Sequence, residues 1–230
     1  GARRAFKVMV AAHMDEVGLM ITSHESNGSL RFRPVGGIDD RILPGKVLLV
    51  GPDKIPGVIG VKPVHLLKGD EGKQVLKMDS LVMDIGASSK EEAEKLVKLG
   101  QWAAFATRYR RAGRTVTGKA FDDRAAVAVV AQALKNLTTM KHTWDVYAIA
   151  NVQEETGAGY LGALTTTYKI NPDVALAIDV GHADQPGATE VNAVPPPLIA
   201  GPLCGLWQSS HVTLPSCTGW CAGRANRPRI

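Results

Sequence analysis

Three short apolar runs, each stopping against acidic residues, constrain this chain more than any other feature. Phe6-Lys7-Val8-Met9-Val10-Ala11-Ala12 ends at His13-Met14-Asp15-Glu16, Trp144 to Val152 ends at Gln153-Glu154-Glu155, and Val174-Ala175-Leu176-Ala177-Ile178 ends at Asp179. Non-alternating runs of this length suit strands buried on both faces, as in sheets covered by helices. The Ala- and Val-rich stretch Asp123 to Leu137 predicts one such helix. Strand and helix alternate at both ends of the chain, which argues an α/β layer structure. Open sheets of that class place their sites at the carboxyl edge of the strands.

Between these ends the texture differs. Val17 to Thr22 reads as a second strand. Residues 25–86 are punctuated by Gly and Pro, with β-like runs at Leu30–Arg33, Val47–Val50, Gly57–Val61 and Leu81–Ile85. That spacing predicts a small β-rich unit. Ser89-Lys90-Glu91-Glu92 is a capping box opening a short helix, whose face is Ala93, Leu96 and Val97 and whose stop is Gly100. Beyond Leu203 the character changes again: Gly205 to Ile230 holds three Arg, two Cys and two Trp but no Lys, Asp or Glu. No strand or helix period survives there, so residues 204–230 read as an anomalous tail.

Composition narrows the function classes. Hydrophobic residues at 45% and charged residues at 21% allow a real core. Aromatics at 5% disfavour a stacking platform for single-stranded nucleic acid. The net charge of +5 falls to +2 once Arg224, Arg227 and Arg229 are set aside, so no nucleic-acid partner is expected. No run approaches the roughly 18–20 apolar residues of a membrane span, so no membrane partner is expected either. Cys204, Cys217 and Cys221 are the three cysteines, and the residues before them need no disulfide, as in a reducing, cytoplasmic setting. Cys217 and Cys221 lack a second His or Cys pair at zinc-site spacing.

The chemistry sits at the strand ends. His13 and Asp15, two apart in an extended segment, point to one side, and a carboxylate there can fix the imidazole tautomer. Asp122 and Asp123 open a helix, where acids serve as caps and favour the dipole. Glu154 and Glu155 project to opposite sides, so one can hold a metal while its neighbour faces water or substrate. Asp179 lies at a strand's carboxyl edge. One imidazole and several carboxylates converging there form the donor set of a two-metal hydrolytic centre, suited to zinc, cobalt or manganese over calcium. His24, His65 and His142 read as surface or packing residues.

Taken in order, Ala12-His13-Met14-Asp15-Glu16-Val17-Gly18, Gly118 to Arg124, Glu154-Glu155-Thr156-Gly157 and Ala177-Ile178-Asp179-Val180 resemble the motifs of the M42 family of metallo-aminopeptidases, whose members include proteins labelled glutamyl aminopeptidase or endoglucanase. Gly57 to His65 and Met83 to Ala87 match its inserted domain, and the resemblance runs from about Lys7 to Pro202. It implies a di-metal peptidase-type mixed sheet flanked by helices, over 1–25 and 111–203, interrupted by a PDZ-like β-rich dimerisation domain over 26–110. It implies two divalent ions, zinc or cobalt foremost, held by His13, Asp122, Glu155 and Asp179. Asp122 bridges both ions, Asp15 orients His13, and Glu154 is the general base. His13, Asp122 and Asp179 hold one ion; Asp122, Glu155 and a late histidine hold the other. It further implies a cis Asp122-Asp123 bond, short peptide substrates and a homo-oligomer, dodecameric in the family.

The departures carry their own expectations. The family's segment before the first metal histidine and the part carrying its late histidine have no counterpart here, and neither His182 nor His211 matches the latter. The chain thus reads as truncated at both ends, holding at most about one tight ion and little activity, because a zinc site wants about three protein ligands. An endoglucanase-type carbohydrate hydrolase, using two carboxyls and no essential metal, is one rival. A non-catalytic remnant keeping only oligomer contacts is the other.

Overall fold

Each apolar run becomes a strand; Lys7–His13 is largely buried, whereas Asp145–Asn151 and Val174–Asp179 are mostly half-buried, and backbone pairing satisfies their N–H and C=O groups. The computed structural model describes residues 5–69, 73, 75–113, 115–156, 160–181 and 203–207, the last segment as backbone. Its elements are β1 (Lys7–His13), β2 (Gly18–His24), β3 (Leu30–Val35), β4 (Val47–Val50), β5 (Ile55–Gly60), β6 (Val82–Asp84), α1 (Lys90–Leu96), β7 (Trp102–Phe105), β8 (Arg110–Ala112), β9 (Thr115–Thr117), α2 (Phe121–Leu137), β10 (Asp145–Asn151), α3 (Leu161–Ile170), β11 (Val174–Asp179) and β12 (Leu203–Trp207). His182, His211, Cys217 and Cys221 lie outside the described residues. Two compact units emerge: Gly1–Glu16, Ala120–Glu154 and Ala158–Ile230 form one, and Val17–Lys119 with Glu155–Gly157 the other.

The first unit is a four-stranded mixed sheet in the order β10-β1-β11-β12. β1 runs parallel to both neighbours, with His13 opposite Asn151 and Ala11 opposite Ala177. β12 pairs antiparallel to β11, so an edge strand, Leu203–Trp207, overlaps the start of the segment read as an anomalous tail, where the sequence shows no strand period. Its sequence lacks alternation because edge pairing is a main-chain interaction that asks little of the side chains. α2 lays Ala126 and Val130 against Ala12, with Val10, Val127, Ala148 and Ile178 packed around them. Small side chains allow that close approach. Gly162 opens α3 because a Cβ there would stand 2.3 Å from the Val152 carbonyl oxygen at the end of β10.

The second unit is a closed barrel, β2-β3-β6-β5-β4-β7. Its strands alternate, and the inward set Leu19, Ile21, Leu30, Phe32, Leu48, Val50, Ile59, Met83 and Ala103 forms one core with Ala93 and Val97 of the α1 region. Ser89 caps α1 by accepting the Glu92 N–H at 3.3 Å. Glu92 reaches back to the N–H of Ser88, at 2.8 Å, so the reciprocal half of the box closes one residue earlier than the motif predicts. Gly28 turns β2 into β3 at φ +88°, where a Cβ would meet the Ala87 carbonyl oxygen at 2.3 Å.

Leu48 is fully buried in the barrel, whereas Val58, on the neighbouring strand, is 44% exposed. Leu48→Ala is expected to cost about 2–5 kcal/mol of stability through the cavity it leaves. Val58→Thr, which keeps the β-branch, should stay within about 0.5 kcal/mol of the parent. Urea denaturation of both variants checks the contrast.

Candidate metal centre

The register of the parallel strands decides what meets at the sheet edge. His13 closes β1 and Asp179 closes β11, and because Ala11 pairs with Ala177 the two residues lie level. β10 ends at Asn151, directly beside His13, and delivers Glu154 three residues later. α2 begins over the same edge, carrying Asp122.

His13 is the centre of the cluster and is only 4% exposed. Its Nε2 stands 3.0 Å from Asp122 Oδ1, 3.8 Å from Glu154 Oε2 and 3.8 Å from Asp179 Oδ1. Its Nδ1 faces Asp15 Oδ1 at 3.4 Å without a hydrogen bond. Asp15 Oδ1 also accepts the Glu154 N–H at 3.4 Å, and Asp179 Oδ1 accepts the Val180 N–H at 2.7 Å. Asp15, Asp122, Glu154 and Asp179 thus converge on one imidazole within a single unit. Glu155, next to Glu154 in the chain, belongs to the other unit. The Asp122-Asp123 peptide is cis, as the resemblance implies.

Sequence reasoning missed Asp123 as more than a helix cap. Its side chain is completely buried and its Oδ2 accepts the His13 N–H at 3.3 Å. A signal was present: Asp123 is in phase with Ala126, Val127 and Val130, the apolar stripe that packs on the sheet. Asn151, also buried, accepts the Met14 N–H through its carbonyl and the Thr166 hydroxyl through its side chain.

Electrostatics fit this crowding. Burial pushes the Asp123 carboxyl up to about 6, with Asp179 adding to the effect against the hydrogen bonds of the His13 and Ala126 amides. Glu154 is raised by burial and by Asp179, Asp122 and Asp15, against the pull of His13. Asp179 is raised by burial and by Asp122, opposed by the Val180 N–H and His13. Burial alone would lower His13, but Asp179, Glu154, Asp122 and Asp123 together outweigh it and raise it. Among the described residues no Lys or Arg pairs with Asp122, Glu154 or Asp179; nearby Arg124 turns to the Met14 carbonyl at 2.9 Å and to Glu16 at 3.7 Å. Like charges packed this way need shared protons or a cation. The donor set suits a cation: one atom each of His13, Glu154 and Asp179 lies within 4.8 Å of the others, offering one nitrogen and two oxygens.

Residues 1–230 match the family described as M42 glutamyl aminopeptidase. This chain belongs to that family. It is 36% identical over 203 residues to the lysyl aminopeptidase of Pyrococcus furiosus, covering 86% of this chain and 57% of that protein. It is similar in structure to the aminopeptidase APDkam598 of the archaeon Desulfurococcus kamchatkensis, with TM-score 0.74, 42% identity, and coverage of 85% of this chain and 54% of that one. It is also similar to the TET1 peptidase of Pyrococcus horikoshii, described as assembling into a tetrahedron or a large octahedral shell; the TM-score is 0.72, the identity 38%, and coverage 82% and 58%. The chain therefore spans a little over half the length of these relatives. Divalent-metal use accords with the family and with the donor set.

The raised groups give the centre a pH signature. Protons held by Asp179 and His13 must leave before those atoms could bind a cation, and mass action then makes binding stronger as pH rises. Zinc affinity should therefore climb as pH rises through the range in which these raised groups lose their protons, with net proton release. Calorimetry in two buffers of different ionisation enthalpy measures that release; a pH-independent affinity would contradict it.

Proposed function

We propose that this chain carries the catalytic centre of a metal-dependent aminopeptidase that releases N-terminal residues from short peptides. The observation that carries the reading is a buried imidazole with three carboxylates within 4 Å of one nitrogen. In this reading His13, Asp122 and Asp179 would hold one divalent ion, and Asp122 with Glu155 would contribute to holding a second. Zinc or cobalt is preferred, with manganese also suited. When bound, such a pair supplies a nucleophilic water at neutral pH and polarises the scissile carbonyl.

The chain's own residues do the rest. Asp15, 3.4 Å from Nδ1, would orient the imidazole so that Nε2 faces the carboxylates that ligate with it. Glu154 takes the proton from the attacking water and returns it to the leaving amine; burial and neighbouring acids raise its pKa toward the range where a carboxylate works as a base. The barrel acts as the PDZ-like dimerisation module of a homo-oligomer. The TET1 relative's assembly supports this, as do Met20, Val47, Val58 and Trp102, which the barrel leaves exposed. No helix of the described residues is long and apolar enough to cross a membrane, and a cytoplasmic enzyme acting on peptides rather than nucleic acid is the consistent reading.

Glu154→Gln tests the assignment. The amide cannot accept the proton, whereas the four ligands are untouched. In a complete enzyme carrying this core, hydrolysis of aminoacyl anilides should fall about 10²–10⁴-fold with zinc stoichiometry unchanged. Activity within about tenfold of the parent would sink the general-base role.

A further inference from the structure

We infer that Asp123 is a positioning residue that fixes His13 for metal binding by holding its backbone amide to the start of α2. The inference rests on the reading of His13 as a ligand. Pairing between β1 and β11 ends at Ala11 and Ala177, so the His13 N–H lies past the end of that ladder. A buried amide without an acceptor is costly, and Asp123 Oδ2 supplies one at 3.3 Å. The same carboxylate is stabilised by the Ala126 amide, three residues on. Asp122 and Asp123 are non-helical, with regular helix geometry following them, so the carboxylate stands at the entry to the helix proper.

The consequence is a clamp between segments 110 residues apart. Asp122 meets the His13 ring at 3.0 Å, while its neighbour Asp123 holds the His13 main chain. Arg124 then donates to the Met14 carbonyl at 2.9 Å and pairs with Glu16 at 3.7 Å. Three consecutive residues of α2 thus engage the end of β1, gripping His13 at ring and backbone. The packing beneath is Ala126 and Val130 on Ala12, small or compact side chains that limit approach but give little lateral register. Ligand atoms must be held to within about 0.5 Å, which directional hydrogen bonds provide and smooth apolar contacts do not.

Three variants of the whole protein test this. Asp123→Ala removes the acceptor of the His13 amide. Asp123→Asn keeps an acceptor oxygen for it. Val130→Ala loosens the same helix packing without touching His13. Cobalt affinity should fall about 10–100-fold in Asp123→Ala, as for other residues that orient a ligand. The visible cobalt spectrum should change with it, and the His13 amide should lose its protection from hydrogen exchange. Asp123→Asn should stay within about threefold of the parent, and Val130→Ala should keep the parent spectrum and His13 protection. An Asp123→Ala protein that binds cobalt with the parent affinity and spectrum would overturn the clamp alone. Equal losses in Asp123→Ala and Val130→Ala would do the same by making the effect one of stability. A parent protein that binds no cobalt through His13 would instead remove the metal reading, and the clamp with it.

Discussion

Parallel pairing on both sides of β1 is the constraint from which the centre follows. A central strand flanked by two parallel partners brings three carboxyl ends to one edge of a sheet, and whatever the chain places just beyond those ends must meet. Here that is an imidazole and several acids. Backbone pairing therefore concentrates groups that repel one another in water, and their raised pKa values are the measure of that conflict. A cation resolves the conflict more fully than a proton, since it serves all the carboxylates at once.

The barrel solves a different problem. Its six strands close on themselves, leaving no open edge within the ring and a core of alternating side chains that owes nothing to the acidic cluster. An insertion of this kind can lie between His13 and Asp122, 109 positions apart, because its own core supplies its stability. The relatives named above are 36–42% identical to this chain, which spans a little over half their length.

Much of this was legible in the chain alone. Runs such as Val174 to Ile178 announced themselves as strands by their length and unbroken apolar character, and the acids after them marked the edge. Ser89 with Glu92 marked the start of α1 because a cap uses only neighbours in sequence. His13, Asp15, Asp122, Glu154 and Asp179 were each conspicuous as polar residues at the ends of apolar segments. What they lacked in sequence was a partner. Trp102–Phe105, which closes the barrel between β2 and β4, carried no signal comparable to the other strands, since closure depends on pairing across the fold.

Sequence by itself determined the α/β layering, the β-rich interruption and the inventory of donors, because burial periodicity and residue chemistry are local. Only the tertiary structure decided that Asp123 faces inward to the His13 amide while Asp122 faces the His13 ring, and that Leu203–Trp207 pairs with β11. Those outcomes depend on hydrogen bonds between segments far apart in the chain. Their energies come from buried main-chain groups finding acceptors, a demand that exists only once the sheet and the helix have packed.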